Sequence, residues 1–179
     1  NIAPGRDYSS RDLENQGCDA VFVSVGASIG KPASIPGESA PNVLSVIEFL
    51  GRIGRGERVD VGKKVIVIGG GFSAADAVRT SRRLGATEVT MMYRRSRAEM
   101  PAAPNEIHEA EIEGVKRDLL SAPIEVKVEG GRATGICSQR MQPAEPGAGG
   151  RRRPEPLPRS ASLPLAGRIH QDPRHAGPP

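Results

Sequence analysis

The sequence predicts an α/β fold of three layers with a parallel sheet at its centre, and three observations carry that expectation. Residues 65–68, Val-Ile-Val-Ile, are consecutive β-branched residues, which suits a strand buried on both faces. Gly69, Gly70 and Gly71 end that strand and hand over to a run of helix formers. A second β-rich run, residues 88–93, follows the helix and completes a strand-helix-strand unit of the usual size, about thirty residues.

Taken in order, the polar residues 6–16 predict a short helix capped near Ser9 or Ser10. Residues 19–25, Asp-Ala-Val-Phe-Val-Ser-Val, predict a strand that ends in the small-residue turn Gly26-Ala27. Small residues there permit close backbone approach, either to a ligand or to a neighbouring strand. Residues 28–41 are rich in Gly, Pro and Ser and read as a connector. Val43, Val46, Ile47, Leu50 and Ile53 then recur at helical spacing, with Pro41 and Asn42 as start signals and Gly54 or Gly56 as the stop.

The glycine turn has the spacing GxGxxA. Gly69 would make the turn, Gly71 would leave room for phosphates, and Ala74 would let a helix over residues 73–84 pack closely on the strand. First-turn N–H groups of such a helix have no intrahelical acceptor, and together with the helix dipole they offer a place for a pyrophosphate. Gly69, Gly70, Gly71, Phe72, Ser73 and Ala74 are therefore candidate cofactor-binding residues.

The end of the strand over residues 88–93 is where the adenosine ribose of a dinucleotide should lie. A carboxylate there serves the free hydroxyls but repels a 2′-phosphate. This chain has Arg94 and Arg95, with Arg97 two residues on. Guanidinium groups hold phosphate through paired charge-assisted hydrogen bonds, so the expected cofactor is NADPH in preference to NADH.

Downstream, a helix is expected over residues 104–113, closed by Gly114, with Glu106, Glu109, Glu111 and Glu113 as a solvated face. Strands are expected over residues 115–120 and 124–128, and Gly130-Gly131 turns the chain into a hairpin partner at residues 133–140. Ile124, Val126 and Val128 alternate with charged residues, as in a sheet covered on one face. Nine of the sixteen prolines lie beyond residue 142, so that region is expected to be an irregular, disordered tail.

Composition narrows the function classes. Six arginines and three acidic residues lie beyond residue 141, which leaves the rest of the chain with 19 basic and 18 acidic groups. Aromatic residues make up only 3% of the chain, so there is no stacking platform for bases, and no nucleic-acid partner is expected. No apolar run reaches membrane-spanning length, and a membrane partner is likewise not expected; localisation defaults to the cytoplasm. Cys18 and Cys137 form no CxxC pair, and His108, His170 and His175 show no ligand spacing, so no metal site is expected.

Residues 20–154 resemble the small subunit of NADPH-dependent glutamate synthase and related FAD-dependent oxidoreductases of the pyridine nucleotide-disulphide type. The likeness rests on Asp19-Ala-Val-Phe22, Gly26-Ala27, Ile35-Pro-Gly-Glu38, residues 65–76, Tyr93-Arg-Arg-Ser-Arg97, Glu99-Met-Pro101 and Gly150-Arg-Arg-Arg-Pro154. It implies a Rossmann-like NADPH domain nested within an FAD domain. By that likeness residues 1–27 are a remnant of the FAD domain, 28–41 a connector, 42–150 the NADPH domain with its small hairpin or meander, and 151–179 an irregular tail.

The resemblance further implies that hydride passes from NADPH to FAD and on to iron–sulfur clusters or a partner subunit. Gly26 and Ala27 join the cofactor-binding candidates, while Gly69, Gly70, Gly71, Ala74, Arg94 and Arg95 match the family's NADPH-contacting positions. The FAD domain's own glycine fingerprint and clustered cysteines are absent, so FAD and iron–sulfur clusters belong to the parent protein or its partner. No side chain is expected to act as a catalytic acid or base, and the isolated chain is expected to be inactive. The family often has Asn where Phe72 stands, which would remove a polar contact near the pyrophosphate. After Pro154 the family continues into an apolar strand, and a frame-shifted tail is the expected explanation of the departure here; reading the coding DNA in the other frames tests it.

Two other functions fit parts of the sequence. One is a non-catalytic NADPH sensor or interaction module using the basic tail. The other is a single-domain NADP-dependent dehydrogenase, which would need a catalytic residue near the nicotinamide; Tyr8 and Tyr93 are the two tyrosines, and neither has a helix-borne Lys partner in the sequence.

Overall fold

The computed structural model describes residues 7, 9–22, 24, 26, 29–146, 152–161, 165, 166 and 168–171. Its organising element is the β-branched strand, β2 (Lys64–Ile68) if strands are numbered from β1 (Val43–Ser45). Val65 and Val67 point into one apolar cluster with Val46, Phe49, Ala74, Val78 and Met91. Ile66 and Ile68 point into a second, with Met92, Val126, Ala133 and Ile136. The two-residue period of a strand thus divides one apolar run between two cores, which makes the expected three layers.

The first layer is helical. It contains α2 (Val46–Gly54), α3 (Phe72–Arg83) and α4 (Pro104–Ile112), following the short outlying α1 (Ser10–Asn15). The middle layer is a parallel sheet in which β3 (Glu88–Tyr93) and β4 (Lys116–Leu119) lie on one side of β2. The third layer is antiparallel and is built from β5 (Ser121–Glu129), β6 (Arg132–Pro146), β7 (Arg152–Ala161) and β8 (Leu165–Ala166). Gly130 and Gly131 both have positive φ, 57° and 75°, and close the β5–β6 hairpin as expected.

Local signals set most boundaries. Ser9 caps α1 with its side chain on the Asp12 amide, and Pro104 begins α4. At α2 the expected start moves. Val43 and Leu44 belong to β1, and Ser45 caps the helix by accepting from the Glu48 amide, so the helix begins at Val46. An available cap and a parallel ladder with a neighbouring strand outweigh the helical spacing of Val43. Phe49 is fully buried on this helix and contributes on the order of 2–3 kcal/mol by leaving water.

The connector is sewn to the third layer. The side-chain amide of Asn42 donates to the Ala133 carbonyl and its oxygen accepts from the Ala133 amide, both at 2.8 Å. The Val126 amide donates to the Pro36 carbonyl at 2.8 Å.

Four expectations are corrected. The strand expected over residues 19–25 does not form among its described residues: Phe22 is 92% exposed, and no strand lies alongside to satisfy its backbone. The acidic residues of α4 are not simply solvated. Glu106, Glu109 and Glu113 all pair with Arg79 of α3, while Glu111 pairs with Arg97 and Arg117. Alternation in β5 fails because the register shifts on either side of Glu125–Lys127, so Val126 is buried while Ile124 and Val128 are partly exposed.

The fourth correction concerns the tail. Its described residues form β7, β8 and β9 (Arg168–Gln171) and not a disordered segment; residues 147–151, 162–164, 167 and 172–179 lie outside the described part. Pro154, Pro156 and Pro158 fall at alternate positions of β7, an edge strand, where the missing N–H groups share one side of the strand. β9 enters the middle of the parallel sheet, between β1 and β2, giving the order β1-β9-β2-β3-β4. His170 of β9 is buried and stacks on Phe49 with ring centroids 4.2 Å apart.

The ion pairs between α3 and α4 predict a pH dependence. Burial pushes the Glu113 carboxyl up, but its bonds to Arg79 and Arg83 prevail and hold it below the usual carboxylate range. Its contribution is therefore complete above about pH 4.3, the unfolded value, and fades as pH falls through the lower folded value. The urea-midpoint difference between the unsubstituted chain and Glu113→Gln is expected to be constant near neutrality and to shrink only in that acid range.

Candidate functional site

The ends of β2 and β3 lie side by side, because Ile68 is in register with Met92. The Gly69 amide donates to the Met92 carbonyl at 2.9 Å, which carries the pairing one residue past β2. Gly69 has φ 149°, a conformation that favours glycine, and the chain turns there into α3.

Gly70 has a different reason to be glycine. A Cβ built on it would stand 2.6 Å from Cδ2 of the Tyr93 ring. Tyr93 is buried and cannot easily withdraw, since its hydroxyl donates to the Glu99 carbonyl at 2.8 Å. The Gly70 carbonyl in turn accepts from the Ala102 amide at 3.1 Å. The glycine turn, the Tyr93 ring and the loop over residues 96–103 thus form one packed unit.

Gly71 is the N-cap of α3 and offers no side chain to its first-turn amides. The Ala75 amide is bonded to the Gly71 carbonyl, so the helix ladder closes one turn in. Ala74 is fully buried against the core, as the close helix–strand contact requires. Ser73 is partly buried at this end and Asp76 is exposed on the helix surface. Phe72 is 49% exposed, so about half of its surface faces outward and is not packed into the protein.

Arg94 and Arg95 follow Tyr93 at the end of β3 and are both partly buried. Each has its Nε shielded from solvent with no hydrogen-bond partner among the described residues. No carboxylate among the described residues pairs with either. Arg97, by contrast, is engaged by Glu111 at 3.3 Å. Burial lowers the Arg94 pKa from its ordinary value and repulsion from Arg95 adds to the effect. Burial also raises the Tyr93 phenol, against the pull of Arg95 and Arg94.

Two adjacent, half-buried cations without a counter-charge are costly, and an anion seated between them would relieve that cost. A phosphoryl group suits the planar, multi-donor guanidinium. The N-terminus of α3 follows the neighbouring strand end, since β2 and β3 are paired in register.

The structure brings together eight of the ten sequence candidates: Gly69, Gly70, Gly71, Phe72, Ser73, Ala74, Arg94 and Arg95 sit on adjoining strand ends and the helix between them. Gly26 does not join them in any contact. It is exposed with φ 66°, and a Cβ there would meet nothing within 4 Å; Ala27 lies outside the described residues. Among the described residues no second glycine turn joins a strand to a helix.

Sequence reasoning missed Tyr93 and the Glu99 carbonyl as supports of the site. The signal available was the bulk of Tyr93 directly before the arginines. Among the described residues no group of His, Cys, Asp and Glu could hold a metal, both cysteines are free, and no helix is long and apolar enough to cross a membrane.

Residues 4–137 match the family described as pyridine nucleotide-disulphide oxidoreductase. The chain is 44% identical over 160 residues to the NADPH-Fe(3+) oxidoreductase subunit beta of Geobacter sulfurreducens, a match that covers 87% of this chain and 24% of that protein. It is 38% identical over 167 residues to the glutamate synthase [NADPH] small chain of Escherichia coli, covering 87% and 35% respectively. The chain therefore spans about a quarter to about a third of the length of these relatives. In fold it is similar to the thioredoxin reductase of Lactococcus lactis, with a TM-score of 0.55 at 20% identity over 80% of this chain and 41% of that one.

Proposed function

Because the chain belongs to the pyridine nucleotide-disulphide oxidoreductase family, we propose that it is the NADPH-binding part of a flavin-dependent oxidoreductase resembling the glutamate synthase small subunit. The observation that carries this reading is the pair Arg94 and Arg95, half-buried and without a carboxylate partner, at the strand end beside the Gly69–Gly71 turn. The amides at the start of α3 would face the pyrophosphate, and the two guanidinium groups would hold the 2′-phosphate.

In the parent protein the reduced nicotinamide would supply hydride to FAD, and electrons would continue to iron–sulfur clusters or a partner subunit. This chain's own residues bind and orient. Tyr93, whose hydroxyl is tied to a backbone carbonyl, serves as a packing support for the turn and not as an acid. The names of the relatives, an NADPH-Fe(3+) oxidoreductase subunit and a glutamate synthase small chain, support both the cofactor and a subunit partner. Residues 42–150 with β9 would form the NADPH unit, and residues 1–27 would belong to a neighbouring FAD unit.

Calorimetric titration of the chain with NADPH and with NADH tests the reading. NADPH is expected to bind at least about tenfold tighter, a difference of about 1.4 kcal/mol. Equal affinities for the two would overturn it.

A further inference from the structure

The capping box that follows the arginines bears on specificity. Ser96 stands at the start of the 3₁₀ turn Arg97–Glu99 in a capping box: the Glu99 amide donates to the Ser96 carbonyl at 3.2 Å, while the Glu99 carboxylate folds back onto Ser96. Oε2 of Glu99 accepts from both the Ser96 amide and the Ser96 hydroxyl, each at 3.1 Å. That carboxylate stands only four and five residues after the arginine pair and could compete for it. It acts electrostatically on the Tyr93 phenol, as do Arg94 and Arg95, yet among the described residues it forms no ion pair with either arginine.

We infer that Ser96 is a specificity-determining positioning residue: by holding the Glu99 carboxylate in the capping box, it keeps Arg94 and Arg95 open to a phosphate. The inference rests on the NADPH reading above. A freed carboxylate that turned to the arginine pair would neutralise a guanidinium and repel the incoming phosphoryl group, two effects of the same sign. The restraint acts on the doubly charged 2′-phosphate and leaves the 2′-hydroxyl of NADH largely indifferent. Gln at position 99 keeps the box but has no charge to compete with.

The test uses the full chain with Ser96→Ala, Glu99→Gln and the double substitution. Ser96→Ala is expected to weaken NADPH about fivefold relative to NADH, and the double substitution to restore the original ratio. A structural role for Ser96 alone would weaken both nucleotides together and would not be rescued by Glu99→Gln. Either result overturns the proposal.

A second measurement needs no nucleotide. In Ser96→Ala the NMR signals of the Arg94 and Arg95 Nε–H groups are expected to move as they pair with Glu99, and to return in the double variant; unmoved signals overturn the proposal. If those signals move as expected while the unsubstituted chain fails to prefer NADPH, the restraint on Glu99 stands and the NADPH reading falls.

Discussion

Reversing both charges, Arg94→Glu with Arg95→Glu, is expected to weaken NADPH binding by about a hundredfold or more while changing NADH by less than about threefold. The asymmetry follows from which atoms differ between the cofactors. Each guanidinium contributes charge-assisted hydrogen bonds to the 2′-phosphate, and each glutamate adds repulsion, so the losses act together on one ligand. For NADH the same carboxylates face two hydroxyls, which they can accept from. Neither arginine has an ion-pair partner to lose among the described residues, so stability should change little or improve as the mutual repulsion disappears. Titration of both nucleotides, with the thermal midpoint measured alongside, checks the result; parallel losses would show that the arginines are not phosphate ligands.

Gly70→Ala is expected to damage the site by shape. The added methyl would lie 2.6–2.9 Å from three atoms of the Tyr93 ring, closer than side chains tolerate. The ring is buried on β3 and tethered through its hydroxyl to Glu99, so the turn must move instead. Overpacking of this kind costs about 1–3 kcal/mol. Since the turn carries the start of α3, both nucleotides should lose affinity equally, in contrast to the arginine variant. Adding Tyr93→Leu is expected to recover part of the thermal midpoint by making room for the methyl. A Gly70→Ala chain that keeps its stability and both affinities would show that the ring can yield.

How much of this was legible in the sequence follows the range of the forces involved. The glycine spacing, the helix after it and the hairpin turn at Gly130-Gly131 are local features set by backbone freedom, and all were readable. The first candidate strand, residues 19–25, had the right composition, but a strand forms only against a partner, and composition does not supply one. The same reasoning in reverse explains the tail. Proline at alternate positions looks like disorder along the chain, but at the edge of a sheet the missing donors face no neighbour.

The acidic helix shows the same limit. Glu106, Glu109 and Glu113 read as solvated because their partner, Arg79, is a long way back in sequence and on another helix. At the site itself, Arg94 and Arg95 were identifiable from their position after a strand, whereas the unpaired state that makes them anion ligands was not. Glu99 is turned toward Ser96, and Glu111 is engaged by Arg97 and Arg117.

The sequence by itself determined the strand, turn and helix of the nucleotide crevice and the sign of the charge at its rim, because each depends on residues close together in the chain. Tertiary structure alone decided that Gly70 must admit the Tyr93 ring, that Arg168–Gln171 fills the centre of the sheet, and that two arginines are left without carboxylates. Those outcomes depend on which groups meet across space, and pairing between distant residues is fixed only when the layers close on one another.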